Sequence, residues 1–294
     1  MTTVLQPILE HRATLGEGPC WDAKQQLLYW VDIMENKVHL FDPLTGKDRS
    51  IDVGQMVGTV VPCDSGQLLI CAKHGFYFLN PETEELTAIV DPESDLHENR
   101  FNDGKCDVKG RFWAGSMSTS TEDSFEKGSL YRLQPDLSIQ AMVPNVTCSN
   151  GIAWSLDHTT MYFIDSPTKQ VVAFDYEVES GDISNRRVVI QFPEGEGIPD
   201  GMTIDSEGML WIAHWGGYQV SRWNPVSGVK IDAIKLPVAE VTSCTFGGPD
   251  LNELYITTAK VGLDEFEQFQ QPFAGGLFRV KLEVKGTPTN FFKG

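Results

Sequence analysis

One pattern recurs along the whole chain and limits what it can fold into. Its clearest copy is Ser149-Asn150-Gly151-Ile152-Ala153-Trp154, a turn around Asp157-His158, and a second apolar run, Met161-Tyr162-Phe163-Ile164-Asp165. With that second run as anchor, further copies begin at Leu28, Leu68, Phe112, Leu210 and Leu254, so successive anchors lie 40, 44, 49, 49 and 44 residues apart. A repeat of about 40–50 residues matches one blade of a radial β-sheet array. Turn residues precede the anchors, as in Asp64-Ser65-Gly66 and Asp205-Ser206-Glu207-Gly208, and can close a hairpin from the run before. A third run follows each anchor, for example Val38-His39-Leu40-Phe41 and Leu277-Phe278-Arg279-Val280; a fourth is clear in some units, as at Arg187–Phe192. The expectation is an all-β chain, a six-bladed β-propeller forming a single domain over residues 1–294. A β-sandwich or a pair of barrels would not need six copies in register. Val4 to Leu9 precedes the first unit and is expected to close the ring as a strand of the last blade.

Composition narrows the function classes. The formal net charge of −18 disfavours a nucleic-acid or anionic-membrane surface. No apolar run approaches the ~18 residues of a membrane span, and the N-terminus lacks the basic and apolar regions of a signal peptide. A cytoplasmic protein is expected, monomeric or weakly homo-oligomeric. The cysteines at 20, 63, 71, 106, 148 and 244 have no metal-like spacing and are expected to be reduced and buried.

The repeat also aligns polar residues. Four positions before the end of each first strand stand Glu17, Gly58, Asn102, Asn150, Asp200 and Thr242. First strands line the channel of a propeller, so these positions form a ring at one height. Glycines follow several of them and let the backbone approach closely. Buried carboxylates and amides converging on an axis need a partner. An all-oxygen set suits a hard divalent cation such as Ca²⁺, Mg²⁺ or Mn²⁺. Glu17 in the first blade, facing Asn150 in the fourth with Asp200 beside it, would leave coordination positions open for water and substrate. The same residues in a propeller that only binds partners would instead hold ordered water.

Several ungapped motifs carry a resemblance. Leu15-Gly16-Glu17-Gly18-Pro19, Asn99-Arg100-Phe101-Asn102-Asp103-Gly104-Lys105, Ser149-Asn150-Gly151, Ile198-Pro199-Asp200-Gly201-Met202, Ile183-Ser184-Asn185-Arg186-Arg187 and Thr242-Ser243-Cys244 occur in that family's pattern. The chain resembles the senescence-marker-protein, gluconolactonase and regucalcin family from about Leu15 to Gly286. The resemblance implies one divalent cation in a central channel, held by Glu17, Asn150 and Asp200, with Zn²⁺ and Fe²⁺ added to the candidate metals because members use several. It implies that Arg100 and Asn102 contact the substrate, a small sugar lactone, which is hydrolysed to an aldonic acid. Asp200 then becomes the candidate to accept the proton of the attacking water. Asp103 and Lys105 are expected to be turn and framework residues. Further expectations place His214 and Tyr218 in a loop at the channel mouth and a helical turn within the 259–275 insertion. Lys260 is open between substrate and solvent, and no cluster is expected for His11, His39, His74, His97 or His158. A non-catalytic calcium-binding or regulatory protein, and a hydrolase of other esters or lactones, are the alternatives. A WD-type interaction propeller is disfavoured because its Gly-His and Trp-Asp signature is missing.

Overall fold

The anchor runs are apolar over nearly their whole length rather than alternating, because each sheet packs against neighbours on both of its faces. The computed structural model, which describes residues 5–294, makes every anchor the second strand of a meander: Leu27–Asp32, Leu68–Ala72, Phe112–Ser118, Thr160–Asp165, Leu210–Trp215 and Glu253–Thr258. Innermost strands are Gly16–Asp22, Val57–Pro62, Asn99–Cys106, Ser149–Trp154, Ile198–Ile204 and Val241–Gly247. Strands follow chain order from axis to rim in all six sheets; five sheets have four strands and the last has three. Consecutive inner strands touch, and the sixth touches the first, so the ring is closed and the expected six-bladed propeller is present. Outer strands such as Lys47–Asp52 and Val229–Lys235 are mostly exposed and carry charge, which blunts an edge that would otherwise template further pairing.

The core lies between blades. Trp21 and Trp30 of blade 1 pack with Tyr255 and Leu277 of blade 6, the Trp21 and Tyr255 rings stacked at 5.8 Å. Phe76 of blade 2 meets Phe101 and Phe112 of blade 3 edge-on. The turn aspartates are more than caps. Asp107 accepts from Trp113 Nε1, Arg111 Nε and Tyr176 Oη, and Asp205 from Trp211 Nε1 and Arg222 Nε, tying turn to blade in two units alike. No helix among the described residues is long and apolar enough to cross a membrane.

Closure differs from the strand expected at Val4–Leu9. Val4 lies outside the described residues, and residues 5–9 form no strand. Pro7 has no N–H to give a ladder. The segment is instead a strap: Ile8 N donates to Leu277 O and Ala13 N to Gly275 O, both at 2.8 Å. Gly275 has φ +78, and a Cβ there would stand 2.1 Å from Ala13 O, so only glycine admits the strap. At the other end of the chain, Gly286 bridges Asp205 and Phe292 bridges Cys63. The C-terminal segment thus crosses the face where the inner strands end, here called the lower face. Ile8 and Leu9 cover the Trp30 cluster. Deletion of residues 1–12 is therefore expected to lower Tm by at least about 4 °C in a thermal melt.

Candidate functional site

Every inner strand carries a β-bulge, all at the level of the aligned polar residues. Register breaks between Glu17 and Cys20, Val57 and Thr59, Ser149 and Ile152, Pro199 and Met202, and Val241 and Ser243. In blade 3 the break falls opposite Ala114 to Ser116, leaving Asn102 and Asp103 outside the ladder. A bulge sets two residues against one and re-aims a side chain that regular pleating would send toward a neighbouring blade. The polar-glycine pairs Asn150-Gly151 and Asp200-Gly201 are the bulges themselves. A Cβ on Gly201 would stand 2.1 Å from Ser243 Oγ, so the backbone approach that turns Asp200 inward requires glycine.

Glu17, Asn102, Asn150 and Asp200 are all buried, none more than 6% exposed. The negative charge of Glu17 bears on Asp200 across the channel, and Glu17 Oε2 accepts from Gly18 N at 2.8 Å. Burial pushes the Glu17 carboxyl up to about 8, with the charge of Asp103 adding to it. Asp200 is raised well above the usual carboxylate range by burial and then by Glu17. Asn150 is oriented by a relay. Ser166 Oγ donates to Pro199 O at 2.7 Å, so it accepts from Asn150 Nδ2 at 2.9 Å. That leaves Asn150 Oδ1 buried without a partner, as is Asp200 Oδ1. Two orphaned acceptors beside a third buried oxygen ligand are costly in apolar surroundings and fit a hard cation.

Arg100 faces Glu17 and Asp200. Its Nη1 donates to Phe101 O and, at 2.7 Å, to Asn102 Oδ1, while Asn102 Nδ2 donates to Ser149 O. Among the described residues Arg100 Nε and Nη2 make no hydrogen bond.

Of the other expectations, some are met and some corrected. Asp103 and Lys105 are not turn residues: they sit in the inner strand Asn99–Cys106, Asp103 buried with its charge felt by both Glu17 and Asp200, and Lys105 Nζ donating to Met202 O at 2.7 Å. The Asn-Asp-Gly run carried the signal, since a bulge there leaves two polar side chains out of register together. His214 is in a strand rather than a loop and is fully buried; its ring bridges Glu196 O and Ser221 Oγ, a packing role. Tyr218 is 44% exposed. Lys260 Nζ donates to Arg12 O and so holds the strap. The 259–275 insertion contains a capped helix, Glu265–Gln270, with no buried residue. Two histidines do have partners: His39 Nδ1 lies 2.6 Å from Asp48, and His11 lies with Asp32 and Glu35 in a group whose ligand atoms are within 4.8 Å of one another. Asp32 already accepts from the amides of Thr14, Leu15 and Glu35, and Glu35 pairs with Lys37, which accounts for both carboxylates structurally. All six cysteines are free, Cys148 half-buried and the others buried.

Comparison with known proteins gives the family. Residues 15–260 match the model of the "SMP-30/Gluconolactonase/LRE-like region". The chain is 44% identical over 276 residues to the Bacillus subtilis protein named "Putative sugar lactone lactonase YvrE", covering 94% of each, and 41% identical over 294 residues to regucalcin of Xenopus laevis, covering 99% of this chain and 98% of the other. Among solved structures, a luciferin-regenerating enzyme superposes with a TM-score of 0.91 at 34% identity, covering 97% of both chains. A calcium-binding regucalcin from Agrobacterium tumefaciens superposes at 0.94 and 27% identity, covering 99% of this chain and 98% of that one. The matched span runs through all six bulged inner strands, from Glu17 to Thr242, and with such coverage the conclusion is direct: the chain belongs to the SMP-30/gluconolactonase/LRE-like family.

Proposed function

We propose that the chain is a divalent-metal-dependent hydrolase of sugar lactones, opening gluconolactone-type rings to aldonic acids, a carboxylic-ester hydrolase. The observation that carries this reading is the pair of buried, unpartnered oxygens, Asn150 Oδ1 and Asp200 Oδ1, beside Glu17. Glu17, Asn150 and Asp200 would hold the cation; when bound, it supplies Lewis-acid polarisation of the lactone carbonyl. Arg100, with Nε and Nη2 free, and Asn102 behind it would hold the sugar hydroxyls and orient the ring. Water forms the new C–O bond as the ring C–O bond breaks; Asp200 takes the water's proton and returns it to the departing ring oxygen. Relatives named as a sugar lactone lactonase and a gluconolactonase family description support the substrate class.

The test is acid release by metal-stripped protein from a panel of aldonolactones, with Ca²⁺, Mg²⁺, Mn²⁺, Zn²⁺ and Fe²⁺ restored singly. Metal-dependent turnover of at least one sugar lactone is the expected result. Metal binding without turnover would favour the second reading, a calcium-binding or regulatory protein, which the regucalcin names support. Within the enzyme reading, Arg100→Gln is expected to raise KM by about tenfold or more, one lost substrate contact of about 1.4 kcal/mol, with a smaller change in kcat.

A further inference from the structure

The channel has a second chamber. A cavity of about 390 Å³ lies along the later halves of the inner strands, toward the lower face, and neither Glu17, Asn150 nor Asp200 lines it. Asp103 and Lys105 form its inner end, and Thr287 to Asn290 of the C-terminal segment wall its outer end. The volume is within the ~300–1,000 Å³ usual for small-molecule pockets. Its polar groups are built in rather than incidental. Trp154 and His158 both line it, Trp154 only 8% exposed with its ring packed against Trp113 and Tyr176. Asp103 uses only Oδ1, toward Gly104 N, and Lys105 spends one N–H on Met202 O. Thr203 and Thr245 add hydroxyls to the wall, and Leu156, 46% exposed, stands at the rim.

We propose that this lower chamber binds an uncharged polyhydroxylated molecule of monosaccharide size, independently of the upper site. A carboxylate ligand would meet Asp103 and a protein of net charge −18, and a cation would meet Lys105. Hydroxyl groups both donate and accept, and so satisfy an acceptor-only carboxylate, a donor-only ammonium group and threonine hydroxyls together. Leu156 at the rim offers apolar surface to the C–H face of such a ring.

The experiment titrates D-glucose, D-galactose and myo-inositol, with D-gluconate as charged control, by ligand-observed NMR and calorimetry on the full chain. At least one neutral polyol is expected to saturate wild type and Asp200→Ala alike, with gluconate at least tenfold weaker. Leu156→Trp, which fills the rim, and the isosteric Thr203→Val are expected to weaken that binding at least tenfold and threefold. Should Leu156→Trp not fold, Thr203→Val decides. The proposal is overturned if no neutral polyol saturates wild type, if gluconate binds as well, if Asp200→Ala loses the binding and so assigns it to the upper site, or if the chamber variants bind normally.

Discussion

Asp200→Ala is expected to lower lactone turnover by at least about 10³-fold, whether or not metal is in excess, in a steady-state acid-release assay. Two roles converge on this one carboxylate. It would hold the cation with Glu17 and Asn150, and it would carry the proton from water to the leaving oxygen, so restoring metal by mass action repairs only the first. Asp200→Asn separates them, because the amide keeps an oxygen ligand and the side chain's shape while losing the base. It is expected to retain metal binding within about tenfold yet stay as inactive as the alanine variant. Turnover near wild type in either variant would remove Asp200 from the mechanism and return the reaction to groups not yet considered.

Without metal, the same carboxylates are expected to make the protein less stable as pH rises. Glu17 is held at about 8 against an ordinary 4.5, and Asp200 is raised as well, each chiefly by burial. Between those values the native state binds more protons than the unfolded chain. Stability therefore falls with increasing pH, the loss starting near pH 4.5 and becoming complete above about 8. The part of the Glu17 shift lying between pH 5.5 and 8 corresponds to roughly 3 kcal/mol, so a metal-stripped sample should melt several degrees lower at pH 8.5 than at pH 5.5. Asp200→Asn removes one of the like charges and is expected to be more stable than wild type at pH 8.5 when metal-free. Saturating divalent cation should reverse that order, since it stabilises the charged pair of the wild type more than the half-neutralised site. A metal-free melting temperature flat across this range would mean that the pair is compensated by something other than a cation.

The propeller was legible because its signal is additive. Six copies of one pattern at 40–49-residue spacing outweigh the ambiguity of any single short apolar run. That Glu17, Asn150 and Asp200 fall at equivalent bulges of their inner strands was legible for the same reason, since a repeat converts an offset in sequence into a level in each blade. Closure was not. Pro7 removes a ladder donor, and whether residues 5–13 pair as a strand or lie as a strap depends on contacts with Leu277 and Gly275, more than 260 positions away in the chain. His214 shows the opposite error: a histidine before Trp-Gly-Gly reads as a loop residue, yet partners at Glu196 and Ser221 bury it.

What the sequence determined alone was therefore the blade count, the strand order and which polar residues share a level, all of them consequences of local pattern repeated. What only the tertiary structure decided was which oxygens are left unsatisfied once the ring closes. Asn150 could have turned either amide atom inward until Ser166, committed to Pro199 O, claimed its nitrogen. Asp103 became a third charge felt by Glu17 and Asp200 only through the bulge in its own inner strand. Partner choice in a buried polar cluster is settled by distances across the axis, and no spacing along the chain encodes those.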